Sequence, residues 1–286
     1  MSEDSKPSNQ GNSTLYSLAI FLVKDYTMGA MITGISIWSI LIICGGVFLA
    51  SVVDAIGGGG GLISLPAYLL AGLPMHNALG TNKMSSAIGT TVSTIRYICR
   101  GFISWKLVGP SIVLAIAGAS LGAKLQLALD EKYSKYVLIG VLVIVAVVML
   151  RDKDFSPRGP ENPKAQAAIV WASSLILGMY DGFYGPGTGT FLLLTYCKLA
   201  RMDLNEAAGT VKLVNLSSNI GALFTMLTAG KVLIPIGILA SVFSITGHYL
   251  GAGLMIKNGK KIVRPIILTV LALLFVRLIG EAAGIL

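Results

Sequence analysis

The sequence predicts an all-α polytopic membrane protein of two homologous repeats, four to five helices each, with glycine-rich broken helices meeting near the membrane centre. Three observations predict it. Of 286 residues, 54% are hydrophobic and only 12% charged, where a soluble domain carries roughly 25% charged residues, and mean hydropathy is +0.78. Apolar runs at 28–50, 137–150, 165–179 and 266–279 supply the cores of spanning helices, since about 20 apolar residues cross a bilayer. Finally, the two halves of the chain carry the same landmarks in the same order.

DAIGGGGGLISLP (residues 54–66) and DGFYGPGTGTFLL (181–193) align at an offset of 127. This pairs Asp54 with Asp181, Gly58 with Gly185 and Gly60 with Gly187. Further on, GTNK (80–83) matches GTVK (209–212) at an offset of 129, which also pairs Gly101 with Gly230, Gly118 with Gly247, and LGA (121–123) with LGA (250–252). Such a near-constant spacing over a long stretch is the mark of an internal duplication. Four segments follow: a polar tail and peripheral segment (1–27), a first transmembrane repeat (28–150), a charged linker (151–164) and a second transmembrane repeat (165–286).

The elements can be justified in order. Residues 1–14 are polar and lack a basic region with a cleavage site, so they read as a disordered tail, not a secretory signal. Residues 15–23 are too short to span and read as a peripheral helix. Helices are expected at 29–55, 62–72, 76–100, 104–129 and 134–150 in the first repeat. In the second they are expected at 165–182, 188–200, 204–229, 231–256 and 261–284. The linker RDKDFSPRGPENPK is charged, holds three prolines and belongs in water. Whether the short segments 62–72 and 188–200 cross or re-enter stays open. Crossing gives five spans per half and inverted repeats; re-entry gives four and parallel repeats.

The glycine loops are the informative feature. Unwound backbone within lipid is tolerated only where it is buried in protein or lines a wet cavity. Broken helices at matching positions of two repeats point to a transporter binding site, and a half-helix beginning after glycine offers N–H groups and a positive dipole end to an anion. Gly58, Gly59, Gly60, Gly185 and Gly187 are therefore expected at the solute. Gly118, Gly122, Gly247 and Gly251 read instead as close helix packing.

Each Gly-Thr-x-Lys opens a helix with a polar stripe. Lys83, Ser86, Thr90, Ser93 or Thr94, and Tyr97 share one face, as do Lys212, Asn215 and Asn219. A charge inside a spanning helix costs about 2.5 kcal/mol or more, so each lysine needs a partner or a purpose. Lys83 can pair with Asp54 and Lys212 with Asp181 as structural ion pairs. Alternatively the lysines face a cavity and meet an anionic solute, while Asp54 and Asp181 take a proton and couple transport. Both hold if the solute competes with the carboxylates. Thr81, Asn82, Thr210, Tyr184 and Thr188 join the expected substrate-binding set, and Tyr180 flanks the second loop with them.

The remaining candidates have plainer readings. Arg96 and Arg100 lie near a helix end and read as snorkelling or lipid contacts, His76 as an interfacial residue, and Trp105 as an interfacial anchor. His248 reads as a satisfied core histidine, with proton relay as the alternative. Cys44, Cys99 and Cys197 have neither metal spacing nor a paired framework, and read as small buried hydrophobes. The net charge of +9 belongs to membrane edges and lipid head groups, and nucleic acid is not an expected partner.

The motifs DAIGGGGGL, GLP with ALGTNK (72–83), YDGFYGPGTG (180–189) and KLVNLSSN (212–219) resemble the TauE/SafE family of sulfite exporters over roughly residues 40–283. The resemblance implies a multi-pass, two-repeat permease of the bacterial plasma membrane. It would move sulfite, sulfoacetate or related organosulfonates, outward in direction. The family commonly shows a plainer apolar-Gly-Gly-Gly loop, so the aspartate here leaves room for proton coupling or another solute. No ATP-binding G-x-x-x-x-G-K-[ST] occurs, so an ion or proton gradient is the expected drive. No cofactor and no metal are expected; the expected partners are a small anionic solute and membrane lipids, with a homodimer left open. Two alternatives remain: a permease for a neutral or zwitterionic metabolite, and, remotely, an intramembrane enzyme using Asp54 and Asp181.

Overall fold

The structure is a computed structural model and describes residues 36–129 and 162–282, within which nine α-helices and no strand occur. The expected tail, the peripheral segment 15–23, the start of the first helix, the helix at 134–150 and most of the linker lie outside the described residues.

Helix α1 (Ile37–Gly57) opens on Ser36, whose hydroxyl accepts from the Ser39 amide at 3.1 Å, and ends where Gly58 takes a φ of 77°. The short α2 (Gly61–Leu70) follows, then α3 (Met75–Cys99) and α4 (Trp105–Ala128). Helix α5 (Pro163–Phe183) begins inside the expected linker, before residue 165. Asn162 explains the early start: its side chain accepts from the amides of Lys164 and Ala165, and Pro163 fits the first helical position. Helices α6 (Thr188–Lys198), α7 (Leu204–Thr228), α8 (Ile234–Asn258) and α9 (Lys260–Ala282) complete the order.

Helix lengths run 21, 10, 25 and 24 residues in α1–α4 and 21, 11, 25 and 25 in α5–α8. At 1.5 Å per residue, α2 and α6 each reach about 15 Å, half of the ~30 Å hydrocarbon core. They are too short to cross it. Among the described residues, α1, α4 and α8 are long and apolar enough to span. Their outer faces carry exposed Leu41, Leu49, Val113, Leu121, Val242 and Leu254, as expected of a lipid-facing surface.

The polar helices α3 and α7 pack on each other, and each is covered by a helix of the opposite half: α8 lies on α3 and α4 on α7. The tightest packing is α4 on α5 and α1 on α8, and glycine permits it. A methyl group at Gly178 would sit 3.0 Å from the Ala115 carbonyl oxygen, and Gly118 and Gly122 face the backbone of Leu175–Phe183. Gly247 and Gly251 lie in the same way on Phe48, Ser51 and Val52 of α1. The packing role expected of these four glycines matches their surroundings. Cys44 and Cys197 are buried, but Cys99 is exposed because it is the outward-facing last residue of α3.

Candidate functional site

The two glycine loops cross. Thr190 Oγ1 donates to the Gly57 carbonyl at 2.9 Å, and a methyl group on Gly189 would lie 2.9 Å from Gly58 Cα. One on Gly61 would lie 3.1 Å from Pro186 Cα. Residues with side chains cannot meet backbone to backbone at that range, which is the physical reason both segments are glycine-rich.

A cavity of about 40 Å³ opens beside this crossing, lined by α1, the loops and the polar faces of α3, α7 and α8. At 10–15 Å³ per water, it holds about three water-sized occupants. Asp54, Gly59, Gly60, Asn82, Lys83, Ser86, Asp181, Gly185, Asn215 and Asn219, all expected at the solute, line it. Sequence reasoning missed Ser51 and Ser64, reached Gly61 and Gly189 only as members of the two glycine loops, and read His248 as a core histidine with proton relay as the alternative. Ser51 lies three residues before Asp54 and Ser64 four after Gly60, each about one helical turn away. That spacing was the available signal.

Several expected residues lie elsewhere. Thr81 Oγ1 accepts from the Leu233 amide and Thr210 Oγ1 from the Ser104 amide, both at 3.0 Å. These threonines tie α3 and α7 to the connections that lead into α8 and α4. Thr210→Val removes an acceptor worth about 1 kcal/mol. It is expected to lower the melting temperature by a few degrees while leaving solute-induced stabilisation unchanged; altered solute binding would return Thr210 to the site. Thr188 Oγ1 donates to the Gly185 carbonyl at 2.8 Å, and Tyr180 donates to the Pro186 carbonyl at 2.6 Å, so both brace the second loop. Tyr184 sits in the apolar core, Gly187 begins α6, and Gly58 faces the backbone of residues 189–190. None of these six substrate candidates (Gly58, Thr81, Tyr184, Gly187, Thr188 and Thr210) lines the cavity.

The ion pairs are exchanged between halves relative to the pairing expected. Lys83 Nζ lies 2.8 Å from Asp181 Oδ2, and Lys212 Nζ lies 2.8 Å from Asp54 Oδ2. Each half therefore contributes its loop acid to the other half's lysine, because the crossed loops carry each acid over to the opposite polar helix. Lys83 also donates to Asn219 Oδ1 at 3.1 Å, and Asn219 Nδ2 to Asn215 Oδ1 at 3.0 Å. With two of its three N–H groups so engaged, Lys83 has a third for a solute in the cavity.

The two pairs are not alike. Lys212 also donates to the Asp54 backbone carbonyl and stands behind that residue, outside the cavity lining. Asp181 accepts from Ser218 Oγ at 2.7 Å and is 5% exposed; Asp54 accepts from the Gly60 amide at 3.3 Å and is 16% exposed. Asn82 lines the cavity with a carbonyl oxygen that has no hydrogen-bond partner among the described residues. Arg96, expected at lipid, instead donates to the Tyr249 carbonyl and lies 4.2 Å over its ring, joining α3 to α8.

Comparison with known proteins gives a consistent result. Residues 42–278 match the family model described as sulfite exporter TauE/SafE. The chain is 32% identical over 234 residues to "Probable membrane transporter protein ORF9" of a Sinorhizobium species, covering 82% of this chain and 90% of that one. It is 32% identical over 238 residues to a "Probable membrane transporter protein" of Haemophilus influenzae (82% and 91%). It is 31% identical over 240 residues to "Probable membrane transporter protein YfcA" of Escherichia coli K12 (82% and 88%). No solved structure matches.

Proposed function

Because the chain belongs to the TauE/SafE sulfite exporter family and is a membrane transporter, not an enzyme, we propose that it moves a small sulfur-containing anion across the bacterial plasma membrane as a multi-pass secondary transporter. The observation that carries this reading is Lys83, a buried ammonium that lines the cavity beside the crossed loops with an N–H group to spare. A compact oxyanion such as sulfite suits a cavity of about 40 Å³; a longer organosulfonate requires it to widen.

The two-repeat architecture supplies the motion. The matching helix lengths and the reciprocal packing of α8 on α3 and α4 on α7 support two repeats meeting at the loops. Each ion pair clamps one repeat to the other. An anion on Lys83 competes with Asp181 and loosens one clamp, which permits the repeats to rock around the site. Asp54 and Asp181 hold the clamps on which an ion or proton gradient then acts.

Solute-induced thermal stabilisation tests the substrate class, since a ligand bound only to the folded protein raises its melting temperature with saturation. Sulfite, methanesulfonate or sulfoacetate is expected to stabilise the protein, and carboxylates and amino acids less. A second reading rests on a different observation. The site holds two ammonium and two carboxylate groups and a free acceptor on Asn82, which suits a zwitterionic solute with an N–H donor. Stabilisation by amino acids alone would select that reading and overturn the anion.

A further inference from the structure

The cavity contains one titratable side chain that the ion pairs do not use. His248, on α8, is 2% exposed and lines the cavity. Its Nδ1 lies 3.1 Å from Ser93 Oγ, which also contacts the Thr90 carbonyl at 3.0 Å, and its Nε2 lies 3.9 Å from Asp54 Oδ2. A neutral imidazole carries one proton for its two ring nitrogens, so one of them keeps a lone pair. A second proton there makes an imidazolium beside the Asp54 carboxylate.

Position 248 also breaks the match between the halves. At the offset of 129, His248 corresponds to Ala119, Ser244 to Ala115 and Gly89 to Ser218. In one half Ser218 donates to Asp181. In the other, Gly89 has no side chain, and a methyl group there would run into Ser244 Oγ and the His248 ring. Three positions have changed together, so that an imidazole stands near Asp54 on the side of the site where Asp181 is given a hydroxyl.

We propose that the His248 imidazole is the proton-carrying site of this transporter, taking up one proton from water when an anion enters the cavity and releasing it to water when the anion leaves. This rests on the anion reading above. With two ammonium and two carboxylate groups, the fixed charges of the empty site cancel. An entering anion leaves a buried net negative charge, which a proton on the imidazole cancels; without it, that charge is unfavourable in a low-dielectric site. Other charged groups around His248 are accounted for. Asp54 faces it from α1 and Lys212 from α7 through the Asp54 carboxylate. Lys83 of α3 stands at the same cavity on Asp181, Arg96 of α3 is held at Tyr249, and Lys261 and Arg264 of α9 are exposed.

Calorimetric titration of the full-length protein with methanesulfonate, sulfoacetate and sulfite tests this. It is run in buffers of different ionisation enthalpy, with each anion's own ionisation subtracted. For methanesulfonate, wild type is expected to take up about one proton per anion, with affinity falling about tenfold per pH unit as pH rises. H248Q is expected to bind with pH-independent affinity and no proton uptake. The triple variant G89S/S244A/H248A rebuilds the Ser218–Ala115–Ala119 set beside Asp54 and should behave as H248Q does, which keeps the test valid if H248Q does not fold. Anion binding by wild type without proton uptake overturns the role of His248 and leaves the anion reading standing. Uptake that persists in both variants moves the proton elsewhere and also overturns it. Failure of all three anions to bind wild type overturns the anion reading, and this inference with it.

Discussion

Lys83→Met is expected to abolish anion-dependent stabilisation and reduce transport at least tenfold, and to destabilise the protein by about 3 kcal/mol or more. Both losses follow from one geometry. The ammonium is 2.8 Å from Asp181 in a pair whose side chains are each 5% exposed, and removing one member of a buried pair leaves an uncompensated charge worth about 3–5 kcal/mol. Function and stability must therefore be separated. In the double variant Lys83→Met/Asp181→Asn the orphaned charge is gone, and replacing both members of a buried pair is often close to neutral. Its melting temperature should return most of the way to wild type, while anion binding stays absent. Lys212→Met gives the contrast. That lysine stands behind Asp54 and outside the cavity lining, so stability should fall with a smaller change in anion affinity. Wild-type flux through a stable Lys83→Met/Asp181→Asn protein would remove Lys83 from the binding site.

The sequence carried the helices and the two glycine-rich breaks, but not how the loops cross and so not the partners. Most helix ends were legible because capping is local: Gly58, Pro74 and Asp203 each act within a few residues of the boundary they set, while the start set by Asn162 was read two residues late. The polar stripe on α3 was legible for the same reason, being a matter of spacing along one helix. Which acid meets which lysine was not. Asp54 is closer in sequence to Lys83, yet it reaches Lys212, 158 residues away, because the crossing of the two loops is a tertiary event that periodicity does not encode. Thr81 and Thr210 misled for a related reason. They stand two residues before the lysines in Gly-Thr-x-Lys, but helical positions two apart point about 200° apart, and the hydroxyls turn to Leu233 and Ser104 on connections that sequence spacing could not bring close. His248 was ambiguous because its meaning depends on the empty place at Gly89, a contact between α3 and α8.

That crossing also yields a test of how rigidly the site is built, through two glycines that share a positive φ and differ in their surroundings. Gly72 has φ 91°, where alanine meets a penalty of about 1 kcal/mol; Gly58, with φ 77° and ψ −178°, lies in a region that essentially only glycine adopts, where alanine costs about 1–3 kcal/mol. Nothing lies within 4 Å of a methyl group at Gly72, whereas at Gly58 it would enter the backbone of Gly189 and Thr190. A side chain in the way can rotate aside. Backbone at the start of α6 cannot move without carrying that helix and breaking the bond from Thr190 Oγ1 to the Gly57 carbonyl. Overpacking of this kind adds about 1–3 kcal/mol or more. Gly72→Ala is therefore expected to cost about 1 kcal/mol and keep its flux. Gly58→Ala is expected to lose about 3 kcal/mol or more, together with anion binding, although Gly58 does not line the cavity. Melting temperatures and liposome flux of the two variants decide the matter. Equal, small effects would mean that the loops yield to each other, and that a cavity formed at their crossing is not held open by it.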